Sequence, residues 1–172
     1  MLTPKLILSV LLVMLTSMTF GQDKRIITIG SNATETVFEL GLGDLVIARD
    51  YGSTFPKVVN DLPSLGQGHK FKAEEVLKHN PTHLVVWDKR GSNKGIIEKL
   101  KKSFVQIIEL GTKDNVQQTE ENFKIVGKAF GKEEEATKLF AKVESDLKKV
   151  EEYTKSKKNS PKAIFIYARG IG

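Results

Sequence analysis

Short apolar runs rich in β-branched residues alternate with amphipathic stretches along most of the chain, and this alternation predicts the fold class. Arg25-Ile26-Ile27-Thr28-Ile29-Gly30 reads as a buried strand. Ser31-Asn32 then opens a helix, with Asn32 as cap and Glu35 reaching back from the third helical position. Val37, Phe38 and Leu40 form its apolar side, and Gly41 or Gly43 ends it. Leu45-Val46-Ile47-Ala48 is a second strand, followed by a turn-rich stretch, a short helix over Lys57–Asp61 and a Pro63–Gly68 loop. Lys72–His79 is helical and ends ahead of Pro81, because proline disfavours helical geometry in the residue before it. His83-Leu84-Val85-Val86-Trp87 and Val105–Leu110 read as two more strands, with helices over Gly95–Lys102 and Val116–Phe130. Such β-α-β order predicts an α/β lobe with a mostly parallel sheet and helices on both faces.

Two segments fall outside that alternation. Lys132–Lys158 reads as one long Glu/Lys-rich helix carrying Ala136, Leu139, Phe140, Val143, Leu147, Val150 and Thr154 in a narrow stripe. It covers only about three heptads before Pro161, so a connecting helix packed on a lobe is as good a reading as a coiled coil. Lys162-Ala163-Ile164-Phe165-Ile166-Tyr167 starts a further strand. The expectation is therefore the N-terminal part of a longer protein: an α/β lobe over residues 22–131, an interlobe helix over 132–158, and the start of a second lobe, truncated here, over 159–172.

The first residues set the expected compartment. Lys5, the apolar core Leu6–Leu15 and the small residues up to Gly21 read as a secretory signal cleaved after Gly21. That core is too short to span a bilayer comfortably. The chain contains no cysteine, which excludes thiol catalysis, cysteine-held metal and a lipidated cysteine, so a free periplasmic protein rather than a lipoprotein is expected. Removing the leader takes one lysine from the formal charge of +6, and the remaining lysines scatter along helices; nucleic acid is not an expected partner.

In parallel sheets, ligands sit beyond the carboxyl ends of the strands. Those ends gather Ser31-Asn32, Arg49-Asp50-Tyr51, Gly66-Gln67-Gly68-His69-Lys70, Trp87-Asp88-Lys89-Arg90, Gly111-Thr112 and Ala168-Arg169-Gly170. Tyr51 and Trp87 offer flat faces, His69 a metal ligand, and Lys70, Lys89, Arg90 or Arg169 partners for carboxylates. This chemistry suits a flat, anionic or metal-bearing small molecule, although each residue taken singly also suits an ordinary loop. His79 and His83 have zinc-pair spacing, but Pro81 between them prevents a shared helix face. Gly66-Gln67-Gly68 lacks the third glycine of a dinucleotide loop, and neither a nucleophile elbow nor a Walker loop is present. No catalytic residues and no catalytic cofactor are indicated.

The segment from Arg25 to Gly41, together with Ile47-Ala48-Arg49-Asp50, Leu62-Pro63-Ser64-Leu65-Gly66, Ala73-Glu74-Glu75-Val76-Leu77 and Asn80-Pro81-Thr82-His83-Leu84-Val85, resembles substrate-binding proteins of ABC importers for haem, siderophores and cobalamin. The haemin-binding branch looks closest, through Ala48-Arg49-Asp50, Leu62–Gly66 and Tyr167-Ala168-Arg169-Gly170. The resemblance implies two α/β lobes joined by a long helix, with haemin held between them by a monomer and passed to an inner-membrane permease. It also implies that Glu74 docks onto permease arginines. One position departs: such haemin binders often carry an iron-ligating tyrosine directly after the glycine matching Gly66, where this chain has Gln67. His69 or Tyr51 would then take the iron. A ferric-siderophore or cobalamin carrier is the nearest alternative, and a secreted α/β enzyme or a helix-pairing module the more distant ones.

Overall fold

The computed structural model describes residues 23–88 and 91–157, together with Lys162, Ile164 and Phe165. The expected leader, Lys89, Arg90 and Arg169 lie outside the described residues. Four parallel strands, β1 (Ile26–Ile29), β2 (Val46–Arg49), β3 (His83–Val86) and β4 (Gln106–Glu109), form one sheet in the order β2-β1-β3-β4. Around it lie α1 (Ser31–Glu39), α2 (Ala73–Lys78), α3 (Lys94–Leu100), α4 (Val116–Phe130) and α5 (Glu133–Lys155), with 3-10 turns at Gly43–Leu45 and Lys57–Asp61. The four expected strands are all present: β1 and β4 are shorter by one residue at each end, β3 ends one residue earlier, and β2 is shifted one residue on to include Arg49.

The pleat sorts the apolar residues into two cores. Ile26, Val85 and Ile108 face α1, α4 and the start of α5, where Val37, Phe123, Val126, Phe130 and Ala136 pack. Ile27, Ile29, Leu84 and Val86 face the other way, against Phe71, Val76, Ile97 and Leu100. Every residue of β1 and β3 is buried, as expected for strands covered on both sides. Among the described residues, no helix is long and apolar enough to cross a membrane.

The opening of α1 differs from the sequence expectation. The cap position belongs to Gly30 and no side chain caps the helix; Asn32 and Glu35 are both exposed. Gly30 adopts φ 94° and the helix starts at Ser31, two residues before the Ala33 start that a cap at Asn32 implies. Its far end closes as anticipated at Gly41, whose N–H donates to Phe38 O while Leu42 N–H donates to Val37 O.

Helix α5 runs 23 residues. Its expected stripe divides in two. Ala136, Leu139, Phe140 and Val143 pack against the lobe, whereas Leu147 and Val150 are exposed. Lys162, Ile164 and Phe165 belong to no strand, and the rest of the expected final strand lies outside the described residues.

At the amino end of the sheet, His83 is buried with its ring 4.8 Å from that of Phe130, and its Nδ1 lies 2.7 Å from Thr82 Oγ1. Burial, and secondarily the Lys24 ammonium, hold its pKa below the ordinary imidazole value. The unfolded chain therefore binds this proton first as the pH falls. The contribution of neutral His83 is complete above about pH 6.5 and declines below it, down to the lower pKa of the folded form. We expect the urea midpoint to drop between pH 7.5 and 5.5, with a smaller drop in His83→Leu; an equal drop in both proteins would assign the effect elsewhere.

Candidate functional site

The chain leaves β1 toward β2 on one side of the sheet and then crosses β1 to place β3 on the other. Loops leaving β1 and β3 consequently part at their carboxyl ends, the position where such sheets hold ligands. A cavity of about 410 Å³ lies there, lined by Gly30, Ser31, Asp50, Tyr51, Gly52, Gln67, Gly68, His69, Trp87 and Asp88.

Each wall has a local cause. Trp87 N–H donates to Ile29 O at 2.8 Å, extending the β1–β3 ladder one residue and fixing the half-buried indole at the mouth. Tyr51 follows β2 directly; its N–H donates to Gly66 O at 2.7 Å, so the loop after β2 and the loop carrying Gln67 and His69 are fastened together. The Tyr51 ring is 69% exposed. His69 sits in a turn closed by Lys70 N–H to Gln67 O at 2.8 Å. The Asn93 side-chain amide donates to Gly68 O at 2.6 Å, while Asn93 N–H donates to Asp88 Oδ2 at 2.7 Å, tying that turn to the loop after β3. Asn93 Oδ1 is buried without a hydrogen-bond partner among the described residues.

Tyr51, Gln67, His69 and Trp87, chosen from the sequence, therefore meet in one cavity. Lys70 is exposed and does not line it. The described lining contains two carboxylates, Asp50 and Asp88, and no lysine or arginine. Among the described residues no cluster of three or more histidine, aspartate or glutamate side chains is arranged to hold a bare metal ion. The arrangement offers aromatic faces, one imidazole and one phenol to a molecule brought from outside.

Sequence reasoning assigned no role to Asp50, Asp88 or Ser31. A signal for Asp50 was available: Asp-x-Gly-Ser after a strand is the composition of a turn in which the carboxylate accepts the N–H two residues on, and Gly52 N–H does donate to Asp50 Oδ2. Glu74 stands apart from the cavity in the first turn of α2. It is exposed, with Lys99 Nζ 2.5 Å from its Oε1, and the Lys99 hydrogen bond holds its carboxyl below the usual carboxylate range. A second hollow of about 180 Å³ lies between α1 and α4, lined by Asn32, Glu35, Thr36, Lys113, Asn122 and Trp87 among others.

A family model described as periplasmic binding protein matches residues 26–172. Among curated relatives, an ABC transporter substrate-binding lipoprotein from Bacillus subtilis, YvrC, is 26% identical over 147 residues, covering 84% of this chain and 46% of the relative. A vitamin B12-binding protein from Vibrio parahaemolyticus is 31% identical over 84 residues, covering 49% of this chain and 30% of the relative. The periplasmic heme-binding protein RhuT from Roseiflexus sp. RS-1 superposes with a TM-score of 0.80 over 87% of this chain and 57% of its own; at 24% identity the likeness is one of fold. The chain thus spans about half the length of the proteins it matches over most of its own length.

Proposed function

From the premise that this chain belongs to the periplasmic binding protein family, a class of solute-binding proteins and not of enzymes, we propose that its lobe forms one wall of a site that captures haemin outside the cytoplasm. In this reading the loaded protein delivers haemin to the permease of an ABC importer. The observation that carries the reading is the convergence of Tyr51, His69 and Trp87 on a single cavity at the carboxyl end of the sheet. Aromatic faces recognise a flat macrocycle by area and by stacking. An imidazole or a phenolate supplies an axial ligand to ferric iron, where the Gln67 amide is a poor one.

The haemin carboxylates require cations, and the described lining has none. We assign them to Lys70, Arg90 and Arg169, of which only Lys70 is described, just outside the cavity. Glu74 is the proposed docking group for the permease; it is exposed, and its carboxylate is paired with Lys99. No bond in the cargo is made or broken. Cobalamin is the second reading, favoured by the Vibrio relative, whose name gives vitamin B12 as its ligand.

Titration of the purified protein with haemin tests both readings. We expect a shifted Soret band that saturates, and His69→Ala or Tyr51→Phe should weaken binding by about tenfold or more, the order typical for loss of a group that supports a metal. An unshifted band rejects haemin. Saturable binding of cyanocobalamin in the same protein would then move the assignment to cobalamin, and failure of both would reject the tetrapyrrole class.

A further inference from the structure

Tyr51 and His69 are equal candidates for the metal by chemistry, but the groups buried behind them are not equal. Asp50 is only 4% exposed and still lines the cavity. Its Oδ1 accepts Gly30 N–H at 2.9 Å and Ser53 Oγ–H at 2.5 Å, and its Oδ2 accepts Gly52 N–H at 3.1 Å. Behind Ser53 the chain of hydroxyls continues: Thr34 Oγ1 lies 2.8 Å from Ser53 Oγ and 2.8 Å from Thr28 Oγ1, all three side chains being buried. The turn 50–53 is thereby fastened to β1 and to the first turn of α1.

Arg49, the preceding residue, is also buried, and among the described residues its guanidinium donates to carbonyl oxygens. Nε donates to Val59 O at 3.1 Å, and Nη1 donates to Asp50 O at 3.0 Å and Tyr51 O at 3.2 Å. With Tyr51 N–H held by Gly66 O, both peptide groups flanking the Tyr51 α-carbon are fixed while its ring stays in the open. Two adjacent charges buried without pairing to each other are costly, and here both are compensated by hydrogen bonds within and beneath one short turn. Asp50 also lies against Gly68, its Oδ2 2.8 Å from where a Cβ would stand, but the hydrogen bond that ties the His69 turn comes from the neutral Asn93, whose amide donates to the carbonyl of Gly68.

We infer that Arg49 and Asp50 are positioning residues that preorganise Tyr51, and that the Tyr51 phenolate, not the His69 imidazole, is the ligand this lobe presents to the cargo metal; the inference rests on the haemin reading above. Arg49→Lys keeps the charge but replaces the planar fork that reaches three carbonyls. Asp50→Asn keeps the shape but puts an amide NH₂ where a backbone N–H needs an acceptor.

The test is the absorption and resonance Raman spectrum of the ferric haemin complex. The wild type is expected to show phenolate-to-iron charge transfer, lost in Tyr51→Phe and kept in His69→Ala. Arg49→Lys and Asp50→Asn are expected to lower haemin affinity about tenfold and to reduce the phenolate signature at unchanged far-UV circular dichroism. Should either variant fail to fold, Ser53→Ala removes a single contact to Asp50 and is expected to give a graded loss of the same signature. Wild-type signature and affinity in the folded variants overturn the inference, as does an imidazole spectrum abolished by His69→Ala. A wild type that forms no haemin complex overturns the carrier reading itself, and the inference with it.

Discussion

Replacing Gly30 with valine is expected to abolish ligand binding and to lower the stability of the lobe by roughly 3 kcal/mol, the combined order of a strained backbone and an overpacked contact. Gly30 has φ 94° and ψ 139°, a region open to glycine and very costly for a β-branched residue. A Cβ built there would stand 2.8 Å from Trp87 O and 3.2 Å from Trp87 Cβ. The carbonyl cannot retreat easily, because Trp87 N–H is already bonded to Ile29 O in the strand ladder. Gly30 N–H also donates to Asp50, so a shift at this one position disturbs the helix start, the Trp87 wall and the Tyr51 turn together. Urea unfolding with an unchanged m-value and a lower midpoint, alongside loss of the haemin titration, is the expected result. A midpoint equal to the wild type would mean that the β1–β3 crossing yields far more readily than its hydrogen bonds imply.

Gly127→Leu should destabilise the lobe from a position away from the cavity, costing about 2 kcal/mol net of the helix propensity that glycine lacks. At Gly127 the helices α4 and α5 come into close contact: a Cβ would lie 2.9 Å from both Ala136 Cβ and Lys132 O. The reversal itself is fixed there, with Lys132 N–H donating to Gly127 O at 2.7 Å and Ala136 N–H to Lys132 O at 2.9 Å. Because Ala136, Leu139 and Phe140 reach the core through this contact, prising it open releases the packed half of α5. Gly95 in α3 is the internal control, since a Cβ there meets nothing within 4 Å. Gly95→Ala is expected to hold or raise the urea midpoint while Gly127→Leu lowers it; equal effects would remove the close approach as the cause.

The sheet was legible because its strands are buried on both faces, so β-branched runs such as Ile26–Ile29 and His83–Val86 stand out whatever surrounds them. Helix α4 was legible end to end, Val116–Phe130, since Asn115 caps it and Gly131 stops it by local rules. The start of α1 was not. There a distant carboxylate, Asp50, takes the Gly30 N–H, and a local capping rule cannot anticipate a partner from another strand. Periodicity in α5 marked a face without saying how far the lobe extends beneath it, which is why Val143 packs and Val150 does not. At the site, topology alone brought Tyr51, Gln67, His69 and Trp87 together. Lys70 was grouped with them by adjacency; the turn-forming role of Asp50 was legible in Asp-x-Gly-Ser, whereas its burial and its bond to Gly30 N–H are tertiary facts.

Trp87 is the chain's single tryptophan, and it lines both hollows. Its emission is therefore a built-in optical gauge for the end of the sheet where cargo would rest. A haemin molecule stacked on one side would drain the excited state by energy transfer, whereas an occupant of the smaller hollow would alter colour through local polarity, so one fluorophore distinguishes the two by intensity against wavelength.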